Sequence, residues 1–500
     1  MKNIIIIGSG IGGLIAGNLL VKKGHKVTIF ESHSMPGGYT AGFNRKGCYF
    51  ESGTICFESS VTVFKAMRDI GVLEKIEFIK LGMRVVSDNF DATPENYEEF
   101  KKTIYDAFPA DKDKLDKAFS DMDKIISVFM RTSDMLIPSL MGRREMLKSM
   151  LPFIPSLPKI IKVTKEFGKV TSSEFASKYF EKDSMLYNLF CRFSYPDIST
   201  ILVAMALAGV FKDIWTVKDG LQSWADILAE KLREQGGDLK LSSYVDKIIT
   251  KNGIAVGVSC KNVDYGADYI ISAGDYKKTF LQLLDDKSLI PKKQRDKILD
   301  ASVSESFFTV YLVLNMPGEE LSKYMKCPHV FNIDYKPDYD IYNSEDNDYF
   351  SKTAFYLYSP SMVNPELAPY GKSSLMIQSR TPYHWMNNWG GGNKETYVQI
   401  KEKAMDMIIN RAGELIPGLK KYIEYRDAAT PLTYERYTQN TDGASSAWSW
   451  NPKKEFFKNA LGTNIKTPVK NLLIGSCWAM QIGGVPGAIS AAYQCVNKIK

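Results

Sequence analysis

Histidine is the scarcest residue in this chain of 500, with four copies: His25, His33, His329 and His384. None is spaced to share one helix face with another, so no metal site is expected. The seven cysteines (Cys48, Cys56, Cys191, Cys260, Cys327, Cys477 and Cys495) are scattered, odd in number and free of any CxxC pair. That pattern speaks against a disulfide framework or a zinc site and points to a reducing compartment. Long apolar runs are missing too. The longest, Ile201 to Phe211, falls short of the about 20 helical residues that cross a bilayer. No secretory pattern precedes the first apolar segment, because Lys2-Asn3 leads straight into Ile4. The expected location is the cytoplasm, or a membrane surface approached from that side. An excess of one charge is absent: 64 basic against 57 acidic residues leave +7, and nucleic acid is not an expected partner. No low-complexity tract or internal repeat is visible, and the length predicts two intertwined domains rather than one small core.

What the sequence does hold is glycine in ordered places. Ile4 to Ile7 is a continuous apolar run, the pattern of a strand buried on both faces. Gly8-Ser9-Gly10-Ile11-Gly12-Gly13 follows at once, then the helical pattern Leu14, Ile15, Leu19, Leu20. In such a turn Gly8 permits the tight bend, Gly10 lets backbone approach a pyrophosphate, and Gly13 lets the helix pack on the strand. The phosphate charge would rest on the helix N-terminus. A second strand, Lys26 to Phe30, ends in Glu31, 18 residues past Gly13 and placed to accept hydrogen bonds from a ribose. Glu31 is followed by Ser32 and then by Met35-Pro36-Gly37-Gly38-Tyr39. This second glycine pair lets backbone pass close to an extended cofactor. A nicotinamide dehydrogenase has no need of it, so FAD is the expected dinucleotide.

With those residues in place the sequence resembles the phytoene desaturase superfamily. Those FAD enzymes include carotenoid isomerases and retinol saturases and are related to amine oxidases. The resemblance runs through nearly the whole chain. Phe50-Glu51-Ser52-Gly53 is similar to the family's FD-x-G turn, with Glu51 in place of Asp. Gly220 to Gln235, Asp238 to Leu241 and Val245 to Thr250 look like the return to the FAD domain, which implies adenine contact at the Val245 backbone. Tyr269 to Asp275 and Pro365 to Lys372 also match family stretches. Near the C-terminus, Asn471 to Gly475 reads as a strand, and Gly483-Gly484-Val485-Pro486-Gly487-Ala488 opens a last helix, Ile489 to Ile499. In the family this turn passes under the isoalloxazine, so Gly475, Ser476, Gly484, Val485 and Pro486 are candidate cofactor residues. Thr430 to Thr438 looks closer to the isomerase and saturase branch, and Tyr39 stands where desaturases often carry Arg.

The resemblance implies an α/β fold: a Rossmann-like FAD domain (residues 1–75, 215–290 and 425–500) with an inserted α+β substrate domain (76–214 and 291–424). The first insert reads as helical; the second contains strands, for example Ser306 to Leu314 and Ser374 to Ile377. Arg143 to Val170 holds seven basic side chains interleaved with apolar ones. That composition fits either an anionic bilayer surface or a solvated helical face.

No Ser/His/Asp or Cys/His arrangement appears. A flavin carries hydride chemistry while the protein supplies positioning and a dry pocket. Tyr434, Glu435, Arg436 and His384 are the candidate acid/base groups, and Cys477 is the one thiol expected near the ring. Three readings stay open. The first is redox change, saturation or desaturation, at a carbon–carbon double bond of a long hydrophobic, polyene-like substrate. The second is flavin-dependent isomerisation of a carotenoid, retinoid or unsaturated fatty acid. The third is a flavin-binding protein without turnover that serves membrane or partner binding. No second dinucleotide fingerprint is found, because Gly390-Gly391-Gly392 follows Trp389 rather than a strand. An external electron carrier or a quinone is therefore the expected redox partner.

Overall fold

A strand whose side chains are buried on both faces needs neighbours on both edges and helices above and below. Asn3–Ile7 has them. In the computed structural model, which describes residues 1–133, 138–141, 143–182, 184–193, 195–336, 340–458 and 462–500, it is the middle strand of a five-stranded sheet. The order is Leu472–Ile474, Tyr269–Ser272, Asn3–Ile7, Lys26–Phe30, Asp238–Lys240, with every pairing parallel. Three distant stretches of chain thus meet in one sheet. Helix Ile11–Lys22 packs against both Leu221–Glu234 and the last helix, Gly484–Lys498. The expectation of an α/β, Rossmann-like domain is met.

A second sheet of seven strands carries the inserted segments. Its order is Ile423–Ala429, Ser306–Leu314, Ser373–Thr381, Phe355–Tyr358, His329–Asn332, Arg84–Val86, Asp91–Ala92. Only the contact between His329–Asn332 and Arg84–Val86 is parallel. Helix Lys394–Leu415 covers one face with Ala404, Met405, Ile408, Ile409 and Ala412. The other face looks toward the first sheet's unit and a helical cluster built from residues 97–211.

Three boundaries differ from those read in the sequence. The segment 76–214 is not purely helical: Arg84–Val86 and Asp91–Ala92 join the second sheet, and Phe78–Lys80 pairs with Trp215–Val217. Strands of two or three residues are too short to show a period of two. Ile423–Ala429 pairs with Ser306–Leu314, so residues 425–429, assigned from sequence to the nucleotide unit, lie in the other sheet. The last helix begins at Gly484 rather than Ile489, since proline and glycine are tolerated in a first turn.

Candidate functional site

The glycine-rich turn divides its labour sharply. Gly8 has φ +98°, beyond the reach of most side chains. A Cβ on Gly13 would sit 2.1 Å from the Gly8 carbonyl oxygen, and one on Gly12 2.4 Å from that of Gly475. These two let the helix close onto the strands. A Cβ on Gly10 would meet no protein atom within 4 Å. Gly10 caps the helix and faces a long cleft of about 1260 Å³, mouth included. The protein's own packing does not require a glycine there, and the open space leaves room for a ligand to approach the backbone closely. The second pair laces onto the first, with the Gly37 N–H donating to the Ser9 carbonyl at 3.0 Å and a Gly38 Cβ position 3.4 Å from the Gly10 Cα.

Gly8, Gly10, Gly12, Glu31, Ser32, Gly37, Gly38, Tyr39, Val245, Ser476, Gly484 and Val485 line this one cleft. Ser9, Gly13 and Gly475 stand behind it: Ser9 is fully buried, and a Gly475 Cβ would strike Ile271. Pro486 lies in the first turn of the last helix, whose N-terminus opens on the cleft beside that of Ile11–Lys22. Two helix N-termini therefore put positive potential on the space an anionic pyrophosphate needs. Glu31 is anchored on both oxygens. One accepts from the Ser9 N–H (2.7 Å) and hydroxyl (2.8 Å), the other from the His33 N–H (2.8 Å) and the Ser32 hydroxyl (3.2 Å). A ribose hydroxyl would take the place of the long Ser32 contact. The length of the cleft, the open Cβ position at Gly10 and the anchored acid all fit FAD.

Sequence reasoning missed Asp275, Lys278, Asn440, Ser445 and Trp478, which also line the cleft. Asp275 had a signal, since it directly follows the strand end Ser272-Ala273-Gly274. It accepts from the Lys278 N–H (2.7 Å) and the Thr441 N–H (2.6 Å), and burial pushes its carboxyl up. The others are set by tertiary contacts, such as the Trp478 indole donating to Asn440 at 3.1 Å. Burial pushes the Cys477 thiol up to about 12, so no thiolate stands ready to attach to a ring at neutral pH.

The four acid/base candidates separate. Tyr434 is buried, shares a 2.6 Å hydrogen bond with Thr309 and stacks on Tyr39 with ring centroids 5.6 Å apart. Glu435 is committed to structure, accepting from Lys278 at 3.1 Å and from the Tyr383 hydroxyl at 2.6 Å. Arg436 is exposed and lies over the Tyr437 ring. His384 is exposed and pairs with Asn388 at 2.6 Å. It precedes a left-handed turn, Met386 to Trp389, that drives Trp385 and Trp389 into the core. Of the four, only Tyr434 comes near the cleft with its hydroxyl in a buried network. Glu51 does not face the cofactor space. Its carboxylate accepts from the Leu221 N–H (3.0 Å) and the Tyr49 hydroxyl (2.8 Å), and burial raises it to about 8. The neighbouring Ser52 and Gly53 carbonyls accept from Tyr311 (3.1 Å) and Gln378 (3.2 Å). The FD-x-G-like turn is thus the fastener between the two sheets.

The basic segment forms the short helices Arg143–Met150 and Leu157–Phe167 around a 3₁₀ stretch. Leu147, Leu151, Ile154, Leu157 and Ile161 are 46 to 66 % exposed. Arg144, Lys148, Lys159, Lys162, Lys165 and Lys169 are exposed around them, while Val163 and Phe167 turn into the helical cluster. No helix among the described residues is long and apolar enough to cross a membrane.

Set against known proteins, the chain is 26% identical over 91% of its length to a 4,4'-diapophytoene desaturase (4,4'-diapolycopene-forming) of Methylomonas sp, 88% of which is covered. It is 26% identical over 99% of its length to an all-trans-retinol 13,14-reductase of Danio rerio, 85% covered. To a chloroplastic prolycopene isomerase of Daucus carota it is 26% identical over 88%, with 71% of that protein covered. In three dimensions it resembles cyclohexylamine oxidase from Brevibacterium oxydans IH-35A, with a TM-score of 0.60 and 12% identity over 100% of this chain and 98% of that one. The model of the flavin containing amine oxidoreductases matches residues 11–500, and the chain belongs to that family, with FAD as its cofactor.

Proposed function

We propose that this protein changes the oxidation state of a carbon–carbon double bond in a long, apolar, polyene-like substrate, by saturation or desaturation. The observation that carries this reading is the inner face of the second sheet. It lies beside the nucleotide cleft and carries aromatic and aliphatic side chains, with Thr309, Tyr311 and Gln378 tied into the opposite unit. When bound, FAD supplies hydride acceptance and donation. The chain does the rest. Tyr39, which lines the cleft, donates to the Gly443 carbonyl at 2.7 Å and is stacked on Tyr434. Burial raises both phenols, so they remain neutral and present surface and O–H dipoles rather than a base. Such a wall orients a chain that has little polarity of its own and excludes water from it. Relatives named as a desaturase and a reductase point to the same bond type.

The prolycopene isomerase among the relatives favours a second reading, isomerisation without net redox change. Product mass separates the two, because saturation adds two hydrogens and isomerisation adds none. In either case an external carrier or quinone, not a nicotinamide, exchanges electrons with the flavin. The exposed apolar stretch Leu147–Ile161, with its ring of lysines, is the docking surface on an anionic bilayer from which the substrate is drawn.

The test is anaerobic stopped-flow bleaching of the oxidised flavin band. Slow bleaching by NADH and NADPH, with turnover of a polyene once the flavin is reduced chemically, is the expected result. Rapid, saturable bleaching by either nicotinamide overturns the electron route. Gly10→Val should yield a folded, colourless protein, since that side chain meets no protein atom and enters only the cofactor's space.

A further inference from the structure

One wall of the nucleotide cleft comes from a segment that belongs to neither sheet. Strand Ile423–Ala429 leaves the seven-stranded sheet, the helix Pro431–Thr438 follows, and the chain turns back through a 3₁₀ turn, Thr441–Gly443. Tyr437, Thr438, Gln439, Asn440 and Ser445 all line the cleft. The segment runs lengthwise along it. At one end the Tyr437 ring stands edge-on to His33, two residues past the acid Glu31, with centroids 5.3 Å apart. Toward the other, Asn440 accepts from the indole of Trp478, in the turn before the last helix, at 3.1 Å. Arg436 and Tyr437 are exposed on its outer side.

The backbone of this segment does not hold itself in place. Gln439, Asp442 and Gly443 have φ of +59°, +55° and +59°. Left-handed residues other than glycine persist where surrounding contacts impose them. Here those contacts come from the nucleotide unit. Lys278 donates to Glu435 at 3.1 Å, and the Tyr39 hydroxyl donates to the Gly443 carbonyl at 2.7 Å. Between them stands Asp275, which follows the strand Tyr269–Ser272 and is buried. One of its oxygens accepts from the Lys278 N–H at 2.7 Å, on its own side of the cleft. The other accepts from the Thr441 N–H at 2.6 Å, on the far side. With both oxygens on backbone donors, Asp275 ties two walls together and is not a ligand of the cofactor. A carboxylate-to-N–H bond of this kind is charge-assisted and stronger than a neutral one.

An extended dinucleotide in the cleft is covered along its length by this segment. We infer that residues 437–445 are a strap closed over FAD, that Asp275 is the positioning residue that fastens it through the Thr441 N–H, and that FAD enters and leaves when the strap lifts. The inference rests on the FAD site and is independent of the bond on which the flavin acts.

Thr441→Pro is the sharpest test. The residue opens a helical turn, where a missing N–H and a fixed φ are tolerated. Asn440 before it has φ −76° and ψ 134°, the extended backbone that proline asks of its predecessor. The substitution removes the donor to Asp275 and leaves the carboxylate and its bond to Lys278 in place. FAD release from the holoprotein, followed by flavin fluorescence after dilution, should become about tenfold faster, the effect of losing one hydrogen bond to a charged group. Association of FAD with the deflavinated chain should be severalfold faster as well, because a loosened strap opens the way in as well as out. The Kd then rises less than the release rate does. Thr441→Ser keeps the N–H and should match the parent in both rates. Tyr437→Ala, at a half-exposed position, should quicken both rates to a smaller extent and serves if Thr441→Pro does not fold. Faster release with unchanged association makes the segment an ordinary contact of the cofactor and overturns the strap. Equal acceleration in Thr441→Ser and Thr441→Pro overturns the part given to Asp275, and unchanged rates in every variant overturn both.

Discussion

The two faces of the seven-stranded sheet are both buried, yet they are built from different chemistry. The face under helix Lys394–Leu415 presents Phe308, Val310, Leu312, Val330, Leu357, Leu375 and Ile377. Its few hydroxyls are small and end on backbone carbonyls, as Ser373 does on Met316 and Ser379 on Ala354. The opposite face follows from the register. Thr309 stands opposite Gln378 and Gln378 opposite Tyr356; Tyr311 stands opposite Met376, Met376 opposite Tyr358, and Tyr358 opposite His329. Alternate residues share a face, so these groups and Arg380 form one wall. Burying polar groups costs free energy unless each finds a partner. Stability alone would have filled both faces with Val, Ile and Leu. On the reading proposed above the second face is the working one, and it is the face turned toward the nucleotide cleft.

The largest effect should come from breaking the apolar face. Val310→Asp places a carboxylate among Leu312, Leu357 and Ile377. A loss of about 4 kcal/mol or more is expected, read as failure to accumulate folded protein or a collapsed midpoint in urea. A soluble variant with an unchanged midpoint would contradict the assignment of that face as core.

The next concerns His329 on the working face. Both its ring nitrogens lack a hydrogen-bond partner among the described residues, and burial lowers it from 6.5 to about 4. The unfolded chain binds the proton below about pH 6.5 and the folded one only below about pH 4. The neutral ring's contribution is therefore whole above 6.5 and is lost as pH falls between those values, amounting to about 3 kcal/mol. His329→Phe should flatten this part of the stability curve, measured by urea midpoints at pH 7 and pH 5. An unaltered pH dependence in the variant would show that the ring reaches a partner and titrates normally.

A smaller stability effect with a larger functional one should follow from Gln378→Leu. The side-chain amide donates to the Gly53 carbonyl (3.2 Å) and to Thr309 (3.1 Å). Losing it leaves one buried carbonyl short, which costs about 1–3 kcal/mol. Gly53 lies under Tyr39, since a Cβ there would meet that ring at 2.4 Å. The variant should therefore shift the bound flavin's absorption and lose more than tenfold in turnover. Equal, small losses in stability and turnover would mean that the working face is only a differently composed core.

How much of this was legible beforehand depends on whether a signal is local. The strand Ile4–Ile7, the glycine turn, Glu31 and the helix after it are contiguous, and the structure places them as read. The nine-residue strand Ser306–Leu314 was long enough to declare itself. The working face was not legible, because Thr309, Gln378, Tyr356 and His329 come from four separate strands and only their register makes them neighbours. Candidates chosen for chemistry alone fared accordingly: His384 and Arg436 ended on the surface and Glu435 in an ion pair. Glu51 was read only as the acid of a family turn, and the structure gives it a partner from far along the chain, the first N–H of Leu221–Glu234.

The smallest stability effect, and the one that extends the comparison to solvent, is expected at Ile161→Asp. Ile161 is 66 % exposed on the helix Leu157–Phe167, on the side away from Val163 and Phe167. Nothing packs on it that an aspartate would disturb, so the urea midpoint should stay within about 0.5 kcal/mol of the parent. Its neighbours explain why such a residue is there at all. Leu147, Leu151, Ile154 and Leu157 are exposed with it, and Lys159, Lys162 and Lys165 lie alongside. On the reading proposed above, these exposed apolar side chains form an interaction site, and the lysines select an anionic one. Each lysine near such a surface is worth about 1 kcal/mol, reduced by salt. Sedimentation with phosphatidylserine-containing vesicles should therefore show binding that weakens as salt is raised. Ile161→Asp should reduce it severalfold, both by removing apolar burial and by adding a repelled charge. Equal binding to neutral vesicles at low salt, or no difference between parent and variant, would make this patch an ordinary solvated face.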